Sequence, residues 1–149
     1  MKQSASMHEQ LVKRGNRLHE GFRYKTALPL FQKAFELAPT CPAAIYNLAN
    51  TLHMLDREQE AHNLLMKLVK MSDSDLTSGC PELRQPRSFK CDAFYLMFHV
   101  MLFSTNRWSK AFPFAQKHLQ SRKRGLKSAW SLRTIRKELT ELKKQFSPI

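Results

Sequence analysis

The sequence predicts an all-α fold: antiparallel helix hairpins repeated about three times, closed by a C-terminal capping helix. Three observations carry this. Residues 8 to 41, HEQLVKRGNRLHEGFRYKTALPLFQKAFELAPTC, return at an offset of 34 as residues 42 to 75, PAAIYNLANTLHMLDREQEAHNLLMKLVKMSDSD. A shorter segment, KTALPLFQKA at 25 to 34, returns at an offset of 84 as SKAFPFAQKH at 109 to 118. The last stretch places Leu132, Ile135, Leu139, Leu142 and Phe146 at helical spacings of 3 and 4, with Trp130 ahead of them. A period of this size marks stacked helical units, each too thin to bury its own apolar face.

In the first self-match small residues fall on small and large apolar ones on large. Gly15 meets Ala49, Leu18 meets Leu52, Ala27 meets Ala61 and Phe31 meets Leu65, while Asn16 meets Asn50 and His19 meets His53. The first unit, about 8–41, is expected to run as a helix from Met7 to Glu20, turn at Gly21 and return from Arg23 to Ala38, where Pro39 and Pro42 stop it. The second, about 42–75, should run from Pro42 to Met54, turn near Asp56 and return from Glu58 to Met71. Pro42 suits a helix start because a proline there loses no helical hydrogen bond.

Residues 74–90 hold Ser74, Gly79, Pro81 and Pro86 and are expected to form a loop or partly ordered insertion. Its size accounts for the surplus of about 16 residues by which the offset of 84 exceeds two periods. A degenerate third unit, about 92–121, should pair a helix from Asp92 to Ser104 with one from Arg107 to Gln120. Pro29 and Pro113 sit inside helices, where each removes a backbone donor, so a local kink is expected at both. A basic linker, Ser121 to Lys127, leads to the last helix, about 128–146. Its apolar stripe suits covering the open end of a stack, or pairing two copies of the chain as a homodimer.

The formal net charge is +13, and its placement matters more than its size. Residues 107–149 carry 12 Lys and Arg against 2 acids, whereas residues 1–106 carry 13 against 10. Arg122, Lys123, Arg124, Lys127, Arg136 and Lys137 form a candidate basic patch for an acidic partner or a phosphate backbone. The run AFYLMFHVMLF at 93 to 103 is too short to cross a bilayer, so no membrane span is expected. Cys41, Cys80 and Cys91 are odd in number and form no C-x-x-C pair. They read as free thiols of a cytoplasmic protein, with no metal or cofactor expected. The N-terminus lacks the apolar stretch of a secretory signal.

The spacing of Gly15, Leu18, Ala27, Phe31, Ala34 and Pro39, and of Leu48, Ala49, Leu52, Ala61 and Leu65, resembles the tetratricopeptide repeat family. The third unit resembles it less closely, through Leu102, Ala111 and Ala115, with His99 where a small residue is usual. The resemblance implies a right-handed superhelix whose concave groove, lined by the first helix of each hairpin, binds peptides or partner proteins. Carried over by position, it implies groove residues Lys13, Asn16 and His19 in the first unit, Tyr46, Asn47, Asn50 and His53 in the second, and Met97 and Phe103 in the third. Side-chain amides suit such a groove, since each can donate to a carbonyl and accept from an amide of an extended peptide. A subfamily clamps the C-terminal carboxylates of heat-shock chaperones with basic residues and two asparagines. Asn16 and Asn47 match the latter, but Val12, Ala93 and Met97 stand where basic residues belong, so the clamp is not expected. Three repeats with a closing helix also look like the chaperones of type III secretion translocators.

Other classes have thinner support. A nucleic-acid or ribosome binder would use the basic C-terminal region, yet no RNA-reading motif accompanies it. No catalytic residue is expected: the four glycines are scattered, and the six histidines form no metal-ligand spacing with acids. Cys91 and His99, eight apart, are the one nucleophile and base pair worth naming. The expected activity is non-catalytic: an adaptor or chaperone that holds a partner polypeptide.

Overall fold

A computed structural model describes residues 2–80 and 83–146, with side chains described from Met7 onward. Among the described residues there are eight helices and no strand. In chain order they are α1 (Lys2–Glu20), α2 (Tyr24–Leu37), α3 (Pro42–Met54), α4 (Glu58–Val69), α5 (Asp73–Gly79), α6 (Pro86–Thr105), α7 (Trp108–Lys123) and α8 (Leu132–Phe146). Helices α1 with α2, α3 with α4, and α6 with α7 pack as hairpins, and α3 and α4 both lie against α6.

The hairpins turn at corresponding positions three times, and the first two turns share their hydrogen bonds. Each first helix ends on a residue with left-handed backbone: Phe22 at φ 59°, Asp56 at 61° and Asn106 at 57°. These positions are 34 and 84 residues apart from Phe22, the two sequence offsets. In the first turn Arg23 N donates to Leu18 O at 2.8 Å and Phe22 N to His19 O at 3.0 Å. Arg57 N to Leu52 O and Asp56 N to His53 O repeat both bonds in the second, satisfying carbonyls that the helix end would orphan. Asparagine and aspartate tolerate this backbone, whereas Phe22 adopts it while exposed. The left-handed residue of the first turn is therefore Phe22, one beyond the expected Gly21.

Close approach explains the small residues of the repeat. A Cβ added at Gly15 would lie 2.6 Å from the Phe31 ring, so α2 packs on α1 at a distance only glycine permits there. Ala27 and Ala61 are both fully buried, as are their partners Phe31 and Leu65 one turn on. Ala111 and Ala115 on α7 are likewise fully buried. Each large apolar side chain so buried contributes about 1.5–3 kcal/mol relative to exposure. Helices α2 and α7 continue through Pro29 and Pro113, and both prolines face solvent.

Helix α6 is the central element. Ala93, Leu96, Met97 and Val100 on one side join a core built from α2, α3, α4 and α5. Tyr95, Phe98 and Leu102 on the other join Ala111 and Ala115 of α7 with Ile135 and Leu139 of α8. The helix begins at Pro86, six residues ahead of the expected start, because proline at its first turn costs no hydrogen bond and residues 86–91 extend the packed surface. The expected loop at 74–90 is correspondingly wrong in extent. Its first half is α5, started by a reciprocal cap in which Ser72 Oγ accepts from Asp75 N and Asp75 Oδ2 accepts from Ser72 N. Leu76 anchors α5 in the first core, and Lys90 Nζ donates to Met71 O at 2.7 Å. Pro81, one of the expected breakers, lies outside the described residues.

Helix α8 begins at Leu132 rather than Ser128, with Ser131 Oγ accepting from Thr134 N at 3.1 Å. Its stripe is used within the chain. Ile135 and Leu139 are buried against α6 and α7, the covering arrangement expected of this stripe, while Leu132, Leu142 and Phe146 are half-buried.

Candidate functional site

The first helices of the hairpins, α1, α3 and α6, pack side by side. Along them the three asparagines Asn16, Asn47 and Asn50 are half-buried. Among the described residues no group bonds their side-chain amides. Thr51 Oγ1 donates to the backbone oxygen of Asn47 instead, which steadies α3 without occupying the amide. Six donor and acceptor groups thus remain available to a ligand. Lys13 is exposed on α1 and lines, with Glu9, Val12 and Ala43, a cavity of about 240 Å³.

Two expected groove residues are not in an open groove. Met97 is fully buried, on the side of α6 that faces the first core. Tyr46 is 8 % exposed and meets the Phe89 ring edge-on at 6.0 Å. Burial, and then the charge of Asp92, push its phenol well above its ordinary ionisation range. For Tyr46 the reason is the early start of α6, which lays Phe89 against it, whereas Met97 lies on the face of α6 turned to the first core. Position in a repeat register could not show this, because the register breaks at the insertion.

The histidines divide by partner. His19 is half-buried with its ring 4.8 Å from Tyr24, and burial lowers its pKa against the opposing pull of Glu20. His53 Nδ1 lies 2.9 Å from both carboxylate oxygens of Glu58. His53 also approaches His99, at 6.3 Å between centroids, and Phe103, at 6.2 Å. Phe103 is 53 % exposed, so it remains available as an apolar contact, with Phe146 edge-on at 5.8 Å.

Sequence reasoning missed the group that closes this end. Glu138 Oε1 of α8 accepts from Tyr95 OH at 2.6 Å and sits 2.6 Å from His99 Nε2. These contacts, led by the one to His99, hold the Glu138 carboxyl below its ordinary range. His99, the residue that departs from a small side chain in the third unit, is therefore the α6 half of the contact that docks α8. One of the two glutamates of α8, set beside its apolar stripe, was the available signal.

The basic patch is redrawn by the fold. Arg122 is half-buried, donating to Trp130 O at 2.7 Å, and so belongs to the α7–α8 junction. Lys123, Arg124, Lys127, Arg136 and Lys137 are exposed, with no acidic group in ion-pair reach among the described residues. Arg124 shares a cavity of about 250 Å³ with Arg87, Lys90 and Lys117, and Lys127 one of about 280 Å³ with Arg84 and Arg87. Sequence alone could not join Arg84 and Arg87 to the C-terminal region.

The nucleophile and base pair is not assembled. Cys91 and His99 are separated by about 12 Å of helix rise. Cys91 instead neighbours His118, whose Nδ1 donates to the Cys91 carbonyl at 2.7 Å. Burial pushes the Cys91 thiol up to about 12, opposing thiolate formation. Burial also raises the Asp92 carboxyl and lowers the His118 imidazole. In all three groups burial disfavours the charged form.

No helix among the described residues is long and apolar enough to cross a membrane. No curated protein matches the chain. Residues 18–75, from the last turn of α1 through α2, α3 and α4 into α5, match the tetratricopeptide repeat family. Repeats of this family generally mediate protein–protein interaction, typically without catalysis. The hairpin geometry and the sequence match both liken residues 18–75 to tetratricopeptide repeats.

Proposed function

We propose that this protein is a non-catalytic adaptor or chaperone that holds an extended segment of a partner polypeptide along α1, α3 and α6. The observation that carries the reading is the set of half-buried, unengaged amides of Asn16, Asn47 and Asn50. An extended backbone offers them both donors and acceptors. Phe103 would take an apolar side chain, and Lys13 an acidic one. The exposed basic surface from Lys123 to Lys137 would speed encounter with an acidic partner more than it sets final affinity. Three buried cysteines outside any disulfide fit a cytoplasmic setting.

The test is capture of partners from lysate by the full chain and by the Asn47→Ala, Asn50→Ala variant. The variant should lose most captured protein while its circular dichroism is unchanged. Equal capture would remove the reading. A second reading, nucleic-acid binding, is favoured by the two basic cavities around Arg84, Arg87, Arg124 and Lys127. Nuclease treatment separates the two, because a nucleic-acid binder would lose its partners and show steep salt dependence.

A further inference from the structure

Three side chains distant in sequence converge beside α5. His8 of α1, Cys41 at the start of α3 and Cys80 at the end of α5 bring their donor atoms within 4.8 Å of one another. All three are buried, at 5 %, 0 % and 3 % exposure. A second observation shows how tightly these elements meet. A Cβ added at Gly79 would lie 2.0 Å from the carbonyl oxygen of Thr40, so the residues preceding the two cysteines touch backbone to backbone.

We propose that His8, Cys41 and Cys80 form a zinc site that clasps the end of α5 to α1 and to the α2–α3 turn. One imidazole and two thiolates form a soft donor set that suits zinc, and the two thiolates neutralise its charge. Zinc sits about 2.3 Å from sulfur and about 2.0 Å from imidazole nitrogen in a tetrahedron, which spaces the donors roughly 3.5–3.8 Å apart. Small side-chain rotations close the present spread to that value. Binding releases the protons of Cys41 and Cys80 to solvent, with no redox change. The fourth position opens on the cavity of about 240 Å³ that His8 and Cys80 share with Lys13 and Leu83, where a water completes the tetrahedron. The other buried cluster, Cys91, Asp92 and His118, is a poorer donor set for zinc, because it offers one thiolate and a carboxylate in place of two thiolates.

No C-x-x-C spacing announces this site, since Cys41 and Cys80 belong to separate units and meet only when α5 folds back. The test uses the full chain, purified reduced and stripped with chelator, then titrated with cobalt(II) and with zinc. One equivalent of cobalt should produce the thiolate charge-transfer band and the intense visible bands of a tetrahedral site. Zinc should displace it and raise the thermal midpoint. Cys41→Ser, Cys80→Ser and His8→Asn should each weaken uptake at least tenfold, and Cys91→Ser should leave it unchanged. The proposal is overturned if the folded wild-type chain takes up no stoichiometric cobalt, if uptake persists in the Cys41→Ser, Cys80→Ser double variant, or if Cys91→Ser abolishes it with helicity intact. Because the wild-type titration stands alone, misfolding of a variant does not rescue the idea.

Discussion

The first two hairpins and the C-terminal half solve one problem by different means. In α1 to α4, burial is reached by repetition: Gly15 admits the Phe31 ring, Ala27 and Ala61 are buried at equivalent positions, and so are Phe31 and Leu65. Around α6, burial is reached by a single helix used on both sides, with Met97 in one core and Phe98 in the other. The second solution needs α8 as an outer wall and fixes it with a polar contact, His99 and Tyr95 on Glu138. Repetition tolerates local change at one unit. A shared central helix does not, because a defect there weakens two cores together.

The largest effect should follow from emptying the shared helix. Phe98→Ala is expected to cost about 3–5 kcal/mol, read as a fall in the urea midpoint. The α8 region and the first two hairpins should then lose stability together, because α6 belongs to both cores. A single unshifted transition would show that α6 does not bridge the cores. Next, Gly15→Ala forces the Phe31 ring to move and should cost about 1–3 kcal/mol, less the roughly 1 kcal/mol that alanine gains over glycine in a helix. Gly21→Ala, with only ordinary contacts around its added Cβ, should be neutral or stabilising in the same assay.

Acid should separate the halves. The His118 pKa is lowered by burial from 6.5, so the unfolded chain binds its proton first, and stability is lost as pH falls below about 6.5 toward the lowered value. The Glu138 pKa is held below 4.5, so its contribution is complete above 4.5 and is lost as pH falls through its folded value. Thermal midpoints measured from pH 7.5 downward should decline in two stages, and Glu138→Gln should remove the second. The smallest effect is a gain: Phe22→Asn relieves left-handed strain and should raise stability by about 0.5–1 kcal/mol, whereas Asp56→Asn should be within error.

Much of this contrast was legible in the sequence, and the boundary of legibility is physical. The offsets of 34 and 84 reflect recurring close packing and recurring helix ends, so the hairpins could be anticipated, though not that the left-handed residue of the first turn would be Phe22. What failed depended on the insertion. Ser72 and Asp75 start α5 through a local cap, but nothing local says that Gly79 will meet Thr40 or that α6 will begin at Pro86. That early start is what places Phe89 on Tyr46. Among the expected groove residues, Asn16, Asn47, Asn50 and Phe103 are accessible because they lie on stretches whose neighbours are themselves repeated or absent. Arg122 was misread for a related reason: its carbonyl partner at Trp130 exists only once α8 has docked.

The central claim is that the asparagine amides of the paired first helices hold a polypeptide backbone. The most direct measurement is the side-chain amide spectrum of the full chain, with Asn16, Asn47 and Asn50 assigned by single substitution, during titration with peptides selected on the immobilised protein. All three amide pairs should shift together and saturate at one peptide per chain, and Asn47→Ala with Asn50→Ala should weaken binding about 10- to 100-fold, two hydrogen bonds of about 1 kcal/mol or more each. Saturable binding that leaves these three amides unmoved would contradict the account.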